Sequence, residues 1–112
     1  MSGIERIAAE RKRQIEKEGW TPEHDDQHDN HEMALAAVCY ASPYPVRVKA
    51  KIFTGKGEFF PEVAERWIEA WPWDDEWDKR QKHDRIRQLE IAGALIAAEI
   101  DRLERLTAQK EK

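Results

Sequence analysis

The chain has 112 residues, 40% of them apolar and 38% charged, with a net charge of -4 at pH 7. This fits one small domain whose core is thin enough that a second copy would help to complete it. The acidic balance speaks against a general nucleic-acid binder, no apolar run approaches the length of a membrane span, and the single cysteine, Cys39, allows no internal disulfide, which suits a reducing cytoplasm. Met1–Arg6 brings charge before any apolar core, unlike a signal peptide.

Residues 3–18 read as a helix. Ser2 with Glu5 three later is a capping-box pattern, Ile4, Ile7, Ala8, Arg11 and Ile15 make one stripe, and Gly19 is the residue that closes the helix in a left-handed conformation. Thr21-Pro22-Glu23 then signals a new start, so 22–28 is expected to be a short helical turn or structured loop. Asp29 and Glu32 can cap again. Residues 30–41 are apolar on almost every side, as a central buried helix would be. Pro43 and Pro45 end it. Val46–Ile52 alternates apolar and basic residues, the period of a half-exposed strand, and Thr54-Gly55-Lys56-Gly57 could turn it into Glu58-Phe59-Phe60. Pro61 opens a predicted helix over 61–71, with Val63, Trp67 and Trp71 on its core face, and Pro72 stops it.

Residues 73–78 form an acidic, aromatic loop. A long last helix is expected over about 79–108, with Ile86, Leu89, Gly93, Ile96, Ile100 and Leu103 at helical spacing and a frayed tail at about 108–112. Ala92, Gly93, Ala94, Ala97 and Ala98 make a flat surface for close approach of the 30–41 helix or of a second copy. The fold expected is therefore all-α, a bundle of about four helices with an optional β-ribbon at 46–60. It forms a single domain over 1–112 with a variable insert at about 42–66, assembled as a homo-oligomer.

The densest run of chemistry is Glu23-His24-Asp25-Asp26-Gln27-His28, with His31 and Glu32 just beyond. His24, Asp25, Asp26, His28 and Glu32 are candidate ligands for a divalent ion such as Mg²⁺ or Mn²⁺, because His24 and His28, and His28 and Glu32, share a helical face. The plainer reading is that the acids suit a helix N-terminus while the histidines brace the loop. His24-Asp25 and His83-Asp84 also match the paired dipeptide of metal-dependent phosphohydrolases, but two dipeptides are cheap coincidences. Arg47, Lys49, Lys51 and Lys56 could hold phosphate with the Gly55 and Gly57 backbone, although lysines on a strand more often guard a solvated edge. Among the tryptophans, Trp20 and Trp73 are candidates for stacking a base, and Trp73 and Trp77 for partner contact. Cys39 sits in an apolar helix with no cation beside it, a poor nucleophile.

Several stretches together carry a resemblance. Glu10–Gln14 leads into Glu18-Gly19-Trp20-Thr21-Pro22-Glu23-His24-Asp25-Asp26-Gln27-His28. Glu32 and the alanine-rich helix through Tyr40-Ala41 come next, then Trp71-Pro72-Trp73, and Ala92–Leu103 closes the set. The chain resembles a family of small proteins encoded by tailed phages and prophages of proteobacteria, over most of its length outside 42–66. That resemblance implies a cytoplasmic accessory role in an infected bacterium, of the kind that manages nucleotides or blocks host immunity. A weaker likeness is to the all-α, MazG-like nucleoside triphosphate pyrophosphohydrolases. This chain lacks their Glu-Glu-x-x-Glu motif and matches only Glu23-x-x-Asp26 of their second.

Three functions follow as expectations. The first is binding of a small phosphorylated ligand, a nucleotide or nucleotide signal, through Trp20, Arg11, Arg47, Lys49 and Trp73, as a means of sequestration. The second is metal-assisted nucleotide hydrolysis by the 23–32 cluster. The third is inhibition of a host protein through Asp74, Asp75, Glu76 and Trp77.

Overall fold

The computed structural model describes residues 1–53 and 63–111. Four α-helices, α1 (Gly3–Glu18), α2 (Pro22–Asp25), α3 (Glu32–Ala41) and α4 (Arg85–Lys110), surround a core, and two strands, β1 (Arg47–Phe53) and β2 (Val63–Glu69), pair as an antiparallel ribbon. The chain is thus mostly helical with a small two-stranded sheet.

Local chemistry sets the first boundaries as the sequence suggests. Ser2 and Glu5 form the reciprocal capping box, and Gly19 takes φ 73 so that its N–H returns to the Gln14 carbonyl. Thr21 accepts from the His24 N–H, and Pro22 opens α2. Asp84 caps α4 by accepting from the Arg87 N–H, after a single 3-10 turn at Arg80–Lys82. The last helix therefore begins later than 79 and ends at Lys110, past the expected 108. Asp29 is not the cap of α3. That place belongs to His31, held at φ 63 without a side-chain cap bond, while Glu32 accepts from the Asn30 N–H at 2.6 Å.

The core lies between α3 and α4. Met33, Ala36, Ala37 and Tyr40 pack against Ile91, Ala92, Leu95 and Ala98, and Trp20, Trp71 and Trp73 close over them. Small residues let the two backbones come close. At the start of α4, Arg85 donates to the Tyr40 and Ala41 carbonyls and satisfies the end of α3. Gly93 serves the other neighbour: a Cβ there would lie 2.5 Å from Ile7 Cδ1 on α1.

Two expectations about faces are corrected. On α1 the buried residues are Glu10 and Gln14, beside the partly covered Ile7 and Arg11, while Ile4 is 82% exposed and Ile15 lies outward. Glu10 can turn inward because Arg13 of the same helix and Arg87 of α4 meet it. On α4 the expected stripe of Ile86, Leu89, Ile96, Ile100 and Leu103 faces solvent.

The predicted helix over 61–71 is a third correction. Val63–Glu69 is a strand, paired from Arg47 opposite Glu69 to Phe53 opposite Val63, with the ladder extended by the Ala70 N–H donating to the Val46 carbonyl. Pairing with the alternating β1 overrides the local pattern. Trp67 consequently lies outward at 61% exposure, while Trp71, beyond the strand, reaches the core. The expected turn at 54–57 and strand at 58–60 lie outside the described residues. Among the described residues no helix is long and apolar enough to cross a membrane.

Candidate functional site

A string of rings runs over one side of the core. Trp20 stacks on His24 with centroids 5.9 Å apart and planes 4° apart. His24 meets His28 edge-on at 5.0 Å, and His28 meets Trp73 at 5.3 Å. Trp73 packs perpendicular to Trp71 at 5.5 Å, and Trp71 meets Tyr40 at 6.0 Å. Edge-on contacts suit the ring quadrupoles. The Gly19 turn and the short α2 make the string possible by bringing His24 beside Trp20, which packs on the α3–α4 core.

Beneath the rings the α2 loop is fastened by arginines. Arg11 Nη2 donates to Asp25 Oδ2 at 2.7 Å, and Asp25 is 1% exposed. Its other oxygen lies 3.2 Å from His24 Nδ1. Arg105, far along α4, donates to Asp26 Oδ1 at 2.7 Å and to the Pro22 carbonyl. His28 Nδ1 lies 2.9 Å from Glu32 Oε2. Burial pushes the Glu32 carboxyl up, but the hydrogen bonds from His28 and the Asn30 N–H outweigh it and leave the group below the usual carboxylate range. Asp25 and Asp26 are thus each bound to an arginine. Among the described residues no group of three or more His, Cys, Asp or Glu side chains is arranged to hold a metal ion.

The buried face of α1 continues this polar layer. Glu10 Oε1 accepts from Arg13 Nε at 2.6 Å, and Arg87 Nη2 lies 2.6 Å from Glu10 Oε2 as an ion pair outside hydrogen-bond geometry. On α4, Arg102 Nε donates to Glu99 Oε1, and that bond holds the guanidinium charged against its burial. Several buried groups have no partner among the described residues: Arg11 Nε and Nη1, both amide atoms of Gln14, Trp73 Nε1 and Arg105 Nε. Gln14 is 1% exposed.

The structure therefore brings Arg11, Trp20, His24, Asp25, His28, Glu32 and Trp73 into one contact chain, with Asp26 at its edge. Arg47 and Lys49 do not join it. They lie on the ribbon, Arg47 opposite Glu69 and Lys49 paired with Glu65 at 2.7 Å. Asp74, Asp75, Glu76 and Trp77 form an exposed 3-10 turn next to Trp73, and the Asp74 carbonyl accepts from Trp71 Nε1.

Sequence reading passed over Glu10, Gln14, Arg87 and Arg105. Glu10 and Gln14 do carry a signal, since they are one turn apart and in line with Ile7, but polar residues on an outer helix look solvated. A cleft of about 440 Å³ was also passed over. It lies between the end of α3, the base of the ribbon and the 75–82 turns, lined by Cys39, Tyr44, Trp71, Asp78, Arg80 and Gln88. Arg80 lies over the Trp71 ring, 5.2 Å from its centroid, and binds Asp78 through two nitrogens, which holds the Asp78 carboxyl below its ordinary range. Burial pushes the Cys39 thiol up, which keeps it protonated.

Comparison with known proteins finds no family model, no curated protein and no solved structure that matches the chain.

Proposed function

We propose that the protein binds a small phosphorylated ligand, a nucleotide being the best-matching class, beside Arg11, Gln14, Trp20, His24 and Trp73. The observation that carries this reading is the surplus of buried donors without partners on Arg11, Gln14 and Trp73. An unpaired buried polar group costs about 1–3 kcal/mol, so several together make a costly way to build a seam that does nothing but pack. These donors are sealed as the seam stands, so a ligand rich in anionic oxygens would satisfy them by parting it. The Trp20–His24 stack supplies a flat surface beside them for a base.

The reading is of holding rather than turnover. Asp25 and Asp26 are engaged by Arg11 and Arg105, and burial pushes the Cys39 thiol away from its reactive form. In an infected bacterium such a protein would act as a sink for a nucleotide signal. A hydrolase working through the 23–32 cluster has no comparable observation in its favour. A protein-binding role has one, in Trp77, 62% exposed within an acidic turn.

Calorimetric titration with inorganic phosphate and with linear and cyclic nucleotides, with and without chelator, tests the proposal. Gln14→Met keeps the side-chain length and removes both amide atoms. The variant is expected to be more stable than the wild type by about 1–3 kcal/mol without ligand and to bind at least tenfold more weakly. A wild-type protein that binds none of these compounds would sink the reading. Binding that persists undiminished in Gln14→Met would move the site elsewhere. Trp77→Ala should leave small-molecule binding unchanged.

A further inference from the structure

Among the described residues the third side of α4 is open. α3 covers Ile91, Ala92, Leu95 and Ala98, and α1 approaches at Gly93 through Ile7. What remains is a stripe of Ile86, Leu89, Ile96, Ile100, Leu103 and Leu106, each between 39% and 59% exposed. Single exposed apolar residues are ordinary. A row of them at three- and four-residue steps, with one seven-residue step past Gly93, along a helix of 26 residues is the seam pattern of paired helices.

We infer that this stripe is the interface of a homodimer in which two copies of α4 run antiparallel. Charge decides both the occupant and the direction. Toward the C-terminus a shallow groove of about 370 Å³ is lined by Ile100, Leu103, Thr107 and Ala108, with Glu104 and Glu111 on its rim. At the other end Ile86 and Leu89 are preceded by the exposed basic residues Lys79 and Lys82, while Arg85 is turned to the carbonyls that end α3. Antiparallel pairing lays the basic end of each copy on the acid-rimmed groove of the other, twice, by the two-fold symmetry of a closed dimer. Parallel pairing would put like charges together.

The shape agrees. The described chain is a slab 21 Å thick, two helix layers, and its radius of gyration of 16.8 Å exceeds the roughly 13 Å of a compact chain this long. A second copy across α4 would add the missing layer. This inference does not depend on ligand binding.

Light scattering and sedimentation equilibrium of the full chain test it. A particle of twice 13.2 kDa is expected. Ile100→Glu places a charge in the seam and should weaken the dimer about a hundredfold or more, with Leu103→Gln acting in the same direction more mildly. Val38→Glu, at an exposed apolar position on α3, should leave the dimer intact. For direction, Ile86→Cys mixed with Leu103→Cys should give a mixed disulfide on oxidation, since native Cys39 is buried. A wild-type monomer at about 100 µM, or a dimer indifferent to Ile100→Glu, overturns the interface. Self-linking of Ile86→Cys overturns the antiparallel arrangement.

Discussion

α4 has two covered sides built on opposite principles. Toward α3 it presents Ile91, Ala92, Leu95 and Ala98, an apolar seam that needs only shape. Toward α1 and the α2 loop it presents Arg87 and Arg105, which meet Glu10 and Asp26, while the buried Arg102 is held by Glu99 of the same helix. Burying apolar area stabilises without regard to direction, whereas burying charge costs heavily unless every group is met. The first seam accounts for a folded chain. The second is a poor way to gain stability, and it holds the groups that lack partners, so its composition asks for a reason other than folding.

Substitutions can test that division. Arg11→Met should have the largest effect, because it strands the Asp25 carboxylate at 1% exposure. The loss in urea unfolding is expected to be about 3–5 kcal/mol, and Arg11→Met with Asp25→Leu should recover much of it. Leu95→Ala in the apolar seam should cost about 2–5 kcal/mol, with no charge partner able to restore it.

Gly93→Ala comes next in size. Its new Cβ would press on Ile7, for a loss of about 1–3 kcal/mol partly offset by the roughly 1 kcal/mol gain in helix propensity. In an Ile7→Ala background the same change should turn stabilising, which thermal unfolding of the pair can read.

The smallest effect concerns pH. The Glu32 carboxyl titrates below its ordinary value of 4.5 in the folded state, so its contribution is fully present above that pH and is lost as pH falls through the folded value. Glu32→Gln should flatten acid unfolding in that window by less than about 1 kcal/mol. A variant with an unchanged acid limb would show that the His28–Glu32 contact carries no stability.

Much of the helical outline was legible because its signals are local. Ser2, Glu5, Gly19, Thr21 and Pro22 each act within one turn of themselves, and the boundaries they set are found in place. The alternation of β1 was also legible, since a strand repeats every second residue. β2 was not, because nothing near Val63–Glu69 says that β1 will pair with it. The inward turn of α1 was hidden for the same reason: Glu10 is tolerable in the interior only because Arg13 and Arg87 reach it, and Arg87 lies on a distant helix. The run from His24 to His28 stood out in the sequence. That its acids would be taken by Arg11 and Arg105 could not be read from spacing, and Arg47 and Lys49, attractive by charge, were carried away on the ribbon.

The string of rings has a spectroscopic consequence. Three of the indoles, those of Trp20, Trp71 and Trp73, lie against the core, while Trp67 and Trp77 look into water at 61% and 62% exposure. Excited near 295 nm, about where tyrosine no longer absorbs, the protein should emit as two populations, one blue-shifted and shielded, the other red-shifted and open to acrylamide. With Trp67 and Trp77 replaced by phenylalanine, the remaining emission would come from the core-packed indoles alone. Any molecule that settled against Trp20 or Trp73 would then announce itself by its own quenching, without a label.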